Sequence, residues 1–374
     1  MNIGLLGFGV VGKGVYEITK SRTDMQVTKV LCLEEISLPD AQAVKNFDEI
    51  LSDDTIDTVV EAMGGLHPAY DFVRAAVEAG KNVVTSNKAL IANFYDDLLP
   101  LVKEKGVMLR CTAAVGGGIG WLSELERVRR VESVSRVGGI MNGTCNYILD
   151  SMTSRDLSYA DALRQAQELG YAEANPTTDV DGIDTWHKLI ISANVAFGVS
   201  LDKTNIPAAG IRHIKAEDIA NFKAHGLTCK LVSTGKNNTG KFHAYVQPTL
   251  FTANEPESVV PTNYNLITLV GNTSGRQSFF GQGAGRYPTA YNVVQDLVDL
   301  TRGTGFYCPY GKQVKVENNE KLRYYVRGGD QSFFAGKVEE NWNGAIVTAP
   351  VCVADIHSWL KENDGAFIAA LPSA

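Results

Sequence analysis

Ten residues near the start constrain this chain more than any others. Ile3–Leu6 is a short apolar run, and Gly7-Phe8-Gly9-Val10-Val11-Gly12 follows it directly, leading into a stretch with helical spacing. Glycines so placed between a strand and a helix have separate tasks. The first permits a tight turn, the second lets backbone approach a ligand, and the third lets helix and strand pack closely. The N–H groups opening such a helix face an anion, so Gly7, Phe8, Gly9, Val10, Val11 and Gly12 read as a dinucleotide pyrophosphate site. The rhythm beyond agrees. Apolar runs at Val27–Leu33, Thr58–Ala62, Asn82–Thr85 and Val107–Cys111 alternate with helical stretches such as Pro68–Ala79 and Asp96–Lys105. That alternation gives a parallel sheet with helices on both faces, the doubly wound Rossmann-type architecture.

After about residue 130 the texture changes. Ser158 and Asp161 form a capping box for a helix ending at Gly170, and a second helix runs from Asp184 to Phe197. Lys241–Thr249 and Leu266–Leu269 alternate as antiparallel strands, and a helical pattern returns at Thr289–Leu300. A strand at Lys321–Val326 and a helix near Val353–Lys361 close the sequence. The expected fold class is α/β. Residues 1–130 with 286–305 form the dinucleotide-binding domain, 131–285 an inserted α+β domain, and 306–374 a short C-terminal segment.

The charge balance, 35 Lys and Arg against 42 Asp and Glu, is −7 with no basic block, so nucleic acid finds no electrostatic footprint. Six widely spaced cysteines, Cys32, Cys111, Cys145, Cys229, Cys308 and Cys352, contain no CxxC pair and read as reduced thiols. No apolar run is long enough to span a membrane. The expectation is a cytoplasmic protein with small-molecule partners, without nucleic acid or membrane.

Glu34 and Glu35 follow the second strand, where a carboxylate binds a ribose 2′-OH and repels a 2′-phosphate. This favours NAD over NADP, unless both glutamates are only solvated loop charges. Residues 170–188 hold Glu173, Asp179, Asp181 and Asp184 in a loop with Pro176 and Gly182, and Asp184 and Lys188 share a helix face at i,i+4. The calcium-loop template is not met. A solvated acidic loop and a polar pocket with carboxylates for an ammonium and a lysine for a hydroxyl or carbonyl both remain open. Lys88 follows a strand of the parallel sheet at its C-terminal end, where such sheets bind ligands. Asn142-Gly143-Thr144-Cys145-Asn146-Tyr147 suits a backbone-lined pocket, and Gly285-Arg286-Tyr287-Pro288 opens a helix.

Together these segments resemble the homoserine dehydrogenase family. The matching pieces are GFGVVG, VVEAMGG from Val59, TSNKALI from Thr85, AAVGGGI from Ala113, NGTCNYIL from Asn142, GYAEANPTTDVDGID with its following lysine from Gly170, and GQGAGRYPTA from Gly281. The resemblance implies reversible NAD(P)-dependent hydride transfer between L-homoserine and L-aspartate 4-semialdehyde. It serves threonine, methionine and isoleucine biosynthesis, in a homodimer built on the inserted substrate-binding domain. It gives Lys188, with Lys88 and Asp184, to catalysis. It gives Glu173, helped by Asp179, to the substrate ammonium, and Thr144, Gly143 and Tyr171 to the amino-acid pocket. Gly285 joins the cofactor site.

The chain departs from the family at four places, one of them Asn175, where aspartate is commoner. Thr112 stands where members commonly carry a glutamate that helps hold a monovalent cation, so a strong metal site is not expected, while the carbonyls of Val115 and Gly117 are left as weak Na⁺ ligands. Gly120 replaces a usual proline. The last residues from Lys321 resemble a truncated or degenerate ACT-like segment, which argues against threonine feedback. Another Rossmann-type amino-acid or sugar dehydrogenase, or a non-catalytic NAD-binding sensor, are the competing readings.

Overall fold

The computed structural model describes residues 1–303 and 311–372, and the chain divides into two compact units. The first comprises Met1–Val131, Asn194–Ser200 and Gly281–Lys312. Its sheet has six parallel strands, in the spatial order Gln42–Val44, Gln26–Leu31, Asn2–Leu6, Thr58–Glu61, Asn82–Thr85, Leu109–Arg110. This is the 3-2-1-4-5-6 order of the doubly wound nucleotide fold. Gln42–Val44 is only three residues long and carries no apolar pattern of its own. It exists because it pairs beside Lys29–Leu31. The strand expected over Val107–Cys111 shrinks to Leu109–Arg110, since Cys111 leads straight into a 3-10 turn at Thr112–Ala114.

Helix Val10–Thr19 follows the first strand, and helix Arg286–Thr301 returns to pack against it. Ile3, Leu5, Val15, Val60, Val293, Val294 and Leu297 share one buried core. A Cβ on Gly14 would lie 2.8 Å from the Ala290 methyl, so the two helices can approach this closely only at glycine. Helix Lys88–Lys105 starts eight residues before the Asp96 expected from periodicity, because Asn87 caps it. Non-helical angles at Phe94 interrupt its pattern.

The second unit comprises Glu132–Ala193, Leu201–Phe280 and Gln313–Ala374. Its mixed nine-stranded sheet runs Gly275–Gln282, Tyr264–Gly271, Val134–Ile140, Leu227–Asn238, Lys241–Thr252, Phe367–Ala370, Tyr324–Arg327, Ala345–Thr348, Val338–Trp342. Helix Ile183–Phe197 lies on this sheet: Leu189 and Ala193 would meet a Cβ on Gly235 at 3.3 and 3.4 Å. The residues set apart as a C-terminal segment supply the last four of these strands. Phe367–Ala370 pairs in parallel with Lys241–Thr252 through Ala370 and Thr249, which makes one sheet of the two halves. The four tail strands lie in the spatial order 4-1-3-2, with helix Val353–Glu362 before the last. That is a βαββαβ arrangement whose first helix is cut down to the 3-10 turn Gln331–Phe334.

The five described cysteines are free thiols, and Cys308 lies outside the described residues. Among the described residues no helix is long and apolar enough to cross a membrane.

Candidate active site

The glycine turn is built as its spacing requires. Gly7 has φ +92°, and a Cβ there would come 2.8 Å from the Ala62 carbonyl. A Cβ on Gly12 would lie 2.1 Å from the Gly7 carbonyl oxygen, so nothing larger than glycine fits. Around Gly9 nothing lies within 4 Å of a Cβ, and no side chain caps the helix that begins after it. The donors opening Val10–Thr19 are thus left for a ligand anion, and this cradle fits a dinucleotide pyrophosphate. Arg286 and Tyr287 both bond the Glu17 carboxylate, fastening helix Arg286–Thr301, which Gly285 caps at φ +126°, to the glycine-turn helix.

Glu34 and Glu35 lie exposed past the second strand. Lys45 reaches them from eleven and ten residues away. Its ammonium donates to the Leu33 and Glu34 carbonyls at 2.8 and 2.7 Å and sits 3.6 Å from the Glu35 carboxylate. In the sequence Lys45 stands ten residues past Glu35. The strand Gln42–Val44 brings it back, because Val44 pairs with Leu31.

Lys88 is the first residue of its helix, and a buried network fixes that start. Glu61, 0 % exposed, accepts from the Met63 and Gly64 amides at 2.8 and 3.1 Å and from the Thr85 hydroxyl at 2.5 Å. Thr85 Oγ1 accepts from the Asn87 amide at 2.9 Å, and Asn87 Oδ1 from the Leu90 amide at 3.1 Å. Sequence reasoning quoted Glu61 only as part of a motif. Its one visible signal was a carboxylate ending a strand buried on both faces.

In the second unit Lys188 and Asp184 face one another as the helical spacing predicts, 2.8 Å apart and 7 % and 4 % exposed. Lys188 Nζ also donates to the Met141 carbonyl at 2.7 Å. Asn142, which the sequence offered only as the first residue of a pocket motif, joins the acids. Its amide nitrogen donates to Asp179 at 2.7 Å and to Asp184 at 2.8 Å, while its Oδ1 accepts from the Cys145 amide at 2.7 Å and so caps helix Gly143–Arg155. One side chain thereby starts the helix and ties two carboxylates together. Thr144 donates to the Tyr171 carbonyl at 2.5 Å, and a Cβ on Gly143 would come 2.5 Å from the Asn263 carbonyl. Burial, reinforced by the charges of Asp179 and Asp184, pushes the Cys145 thiol well up, so it stays a thiol.

Asn142, Asp179, Asp184 and Lys188 are therefore linked through short bonds around one helix start, with Thr144 beside them bonded to the Tyr171 carbonyl. Glu173 and Tyr171 stand exposed on the loop before them. The fourth acid, Asp181, is turned elsewhere, into a bidentate pair with Arg212 at 2.7 and 2.8 Å. The open choice between a solvated acidic loop and a polar pocket is thus divided among the four acids.

Comparison with known proteins supplies the family. The profile described as "Homoserine dehydrogenase, NAD binding domain" matches residues 7–111, and that described as "Homoserine dehydrogenase" matches residues 121–298. The homoserine dehydrogenase of Bacillus subtilis is 34% identical over 349 residues, 87% of this chain and 81% of its own length. The chain belongs to the homoserine dehydrogenase family. The Corynebacterium glutamicum homoserine dehydrogenase is 36% identical over 323 residues, covering 81% of this chain and 72% of its own. A solved homoserine dehydrogenase from Thiobacillus denitrificans superposes with a TM-score of 0.89 at 26% identity, over 100% of this chain and 98% of that one. A hyperthermophilic archaeal homoserine dehydrogenase mutant solved with NADPH matches 81% of this chain and 98% of its own, with a TM-score of 0.70 at 25% identity. Membership makes the chain a homoserine dehydrogenase-type oxidoreductase with an NAD(P)-binding domain.

Proposed function

We propose that Lys188 is the acid–base group of L-homoserine and L-aspartate 4-semialdehyde interconversion in this chain. The observation that carries the proposal is its pairing: two of its three ammonium donors go to Asp184 and Met141, which leaves the third for a substrate oxygen. Oxidation removes a proton from the C4 hydroxyl as hydride leaves C4, and reduction returns both. In oxidation the Lys188 amine takes that proton and becomes the ammonium, and in reduction it gives it back; Asp184, held by Asn142, keeps the lysine oriented and offsets the ammonium charge. The exposed Glu173 takes the substrate ammonium, helped by Asp179. Gly143, Thr144 and Tyr171 form the amino-acid pocket, and Lys88 assists.

The dinucleotide is held by residues 7–12 and supplies the hydride acceptor when bound. NAD is the preferred form: Glu34 and Glu35 supply carboxylates at the ribose position, and Lys45 is already engaged by two carbonyls and Glu35.

Lys188→Ala tests the assignment. Turnover should fall about 100-fold or more, the usual worth of a general acid–base group, while NADH affinity from fluorescence titration stays nearly intact. Retained turnover removes Lys188 from the chemistry.

A further inference from the structure

The turn after strand Leu109–Arg110 is where the family resemblance places a monovalent cation, and the residues there do not fit one. Gly116 and Gly117 take φ +80° and +50°, and a Cβ on Gly117 would lie 2.6 Å from the Gly283 carbonyl, so the turn is tightly folded. Its carbonyls converge, but on a protein donor. Asn292, 3 % exposed, directs its amide nitrogen to both the Gly117 oxygen and, at 3.1 Å, the Ile119 oxygen. One helical turn further on is Asp296, 1 % exposed. Its carboxylate accepts from Arg110 Nε at 2.9 Å, from the Thr112 amide at 2.8 Å and from the Thr112 hydroxyl at 2.7 Å. A second Arg110 nitrogen lies 2.5 Å from Asp299.

We infer that this chain closes its Val115–Ile119 turn with protein donors, the Asn292 amide nitrogen standing at the Gly117 carbonyl, one of the two expected as cation ligands, and at the neighbouring Ile119 carbonyl, and that its folding and turnover are independent of Na⁺ and K⁺. A buried cation needs oxygens with their lone pairs turned toward it and negative charge to offset its desolvation. Here the Gly117 and Ile119 oxygens face N–H hydrogens, which repel a cation. The carboxylate at hand already serves a buried guanidinium, and removing one partner of such a pair is costly. Thr112, in the place of a glutamate, supplies two donors to Asp296 and no charge to the turn. The same positions thus carry the load electrostatically, with Arg110 as the fixed positive charge. Arg110 and Asn292 are positioning residues here: they set the backbone that follows the last parallel strand.

The test is a cation titration of the whole chain at constant ionic strength, with NaCl or KCl replacing choline chloride. Melting temperature is read beside homoserine oxidation, so the outcome does not rest on the proposed chemistry. The inference expects melting within about 1 °C across the series and turnover within about twofold. A saturable rise of several degrees, as binding to the folded state alone would give, or a saturable rise in rate with Na⁺ or K⁺ and not choline, overturns it. A second arm uses the double variant Asn292→Ala, Thr112→Glu, which frees the carbonyls and restores a carboxylate. It should gain a Na⁺-dependent rise in melting temperature. A folded variant that stays blind to both ions overturns the role given to Asn292. If it does not fold, the wild-type titration decides.

Discussion

Asn142 offers the sharpest perturbation, because one amide holds two carboxylates and a helix start. In Asn142→Ala the Asp179 and Asp184 oxygens lose donors at 2.7 and 2.8 Å, and the Cys145 amide loses its cap. A hydrogen bond to a charged group is worth about 1.5–3 kcal/mol and an N-cap about 1 kcal/mol. Because the three share one side chain, they overlap rather than add, and a loss of about 3–5 kcal/mol in unfolding free energy is expected. Asn142→Asp separates the parts. It keeps an acceptor for the cap but sets a third carboxyl against two others, so it should lose activity more steeply than wild type as pH rises. In both variants a lysine partner no longer fixed by Asn142 should cost about 100-fold in kcat/KM, near 2.7 kcal/mol. Urea unfolding and the homoserine-dependent rise in NADH absorbance read the two effects separately. If Asn142→Ala unfolds within about 1 kcal/mol of wild type and keeps kcat/KM within about threefold, the amide does not organise the acids and the reasoning fails.

Three further outcomes follow from separate features. Gly12→Ala drives a methyl to 2.1 Å of the Gly7 carbonyl, so NADH affinity measured by fluorescence titration should fall at least about tenfold, and unchanged affinity would contradict the turn geometry. Glu34→Ala should narrow the NADH over NADPH ratio of kcat/KM, and an unaltered ratio would detach Glu34 from the ribose. Lys230, 1 % exposed, donates to Asn146 and Val260, and burial pushes its ammonium down to about 8 from 10.5. Below about pH 8 it is charged in both states and the fold carries the burial cost. Between there and 10.5 the unfolded chain binds more protons, so stability rises with pH. Relative to Lys230→Met, wild type should gain about 2 kcal/mol between pH 7.5 and 9.5 in urea unfolding, and a flat difference would refute the shift.

What the sequence disclosed was local. The glycine turn could be read because its three residues act on one strand and one helix. Asp184 and Lys188 could be read because four residues on a helix is a distance, and they meet at 2.8 Å. The remaining partners lie too far apart in sequence for any spacing to reveal them. Asn142 meets its acids across 37 and 42 residues, Glu61 meets Thr85 across 24, and Thr112 meets Asp296 across 184. Lys45 was hidden by a three-residue strand too short to have a pattern. The tail was set apart as a separate segment, because nothing in Phe367–Ala370 announces the strand it will pair with.

That pairing has a consequence for when the protein can fold during synthesis. Strand Lys241–Thr252 meets Phe367–Ala370 more than a hundred residues later, and helix Val10–Thr19 meets Arg286–Thr301 across nearly three hundred. Neither unit can complete its core while the ribosome is still making the middle of the chain. The unpaired edge of Lys241–Thr252 and the apolar face of Val10–Thr19 stay uncovered for many seconds at ordinary elongation rates of about 5–20 residues per second. Such surfaces are where nascent chains associate wrongly. Chaperone dependence in expression should therefore be set less by the stability of the finished fold than by the waiting time before its distant segments arrive.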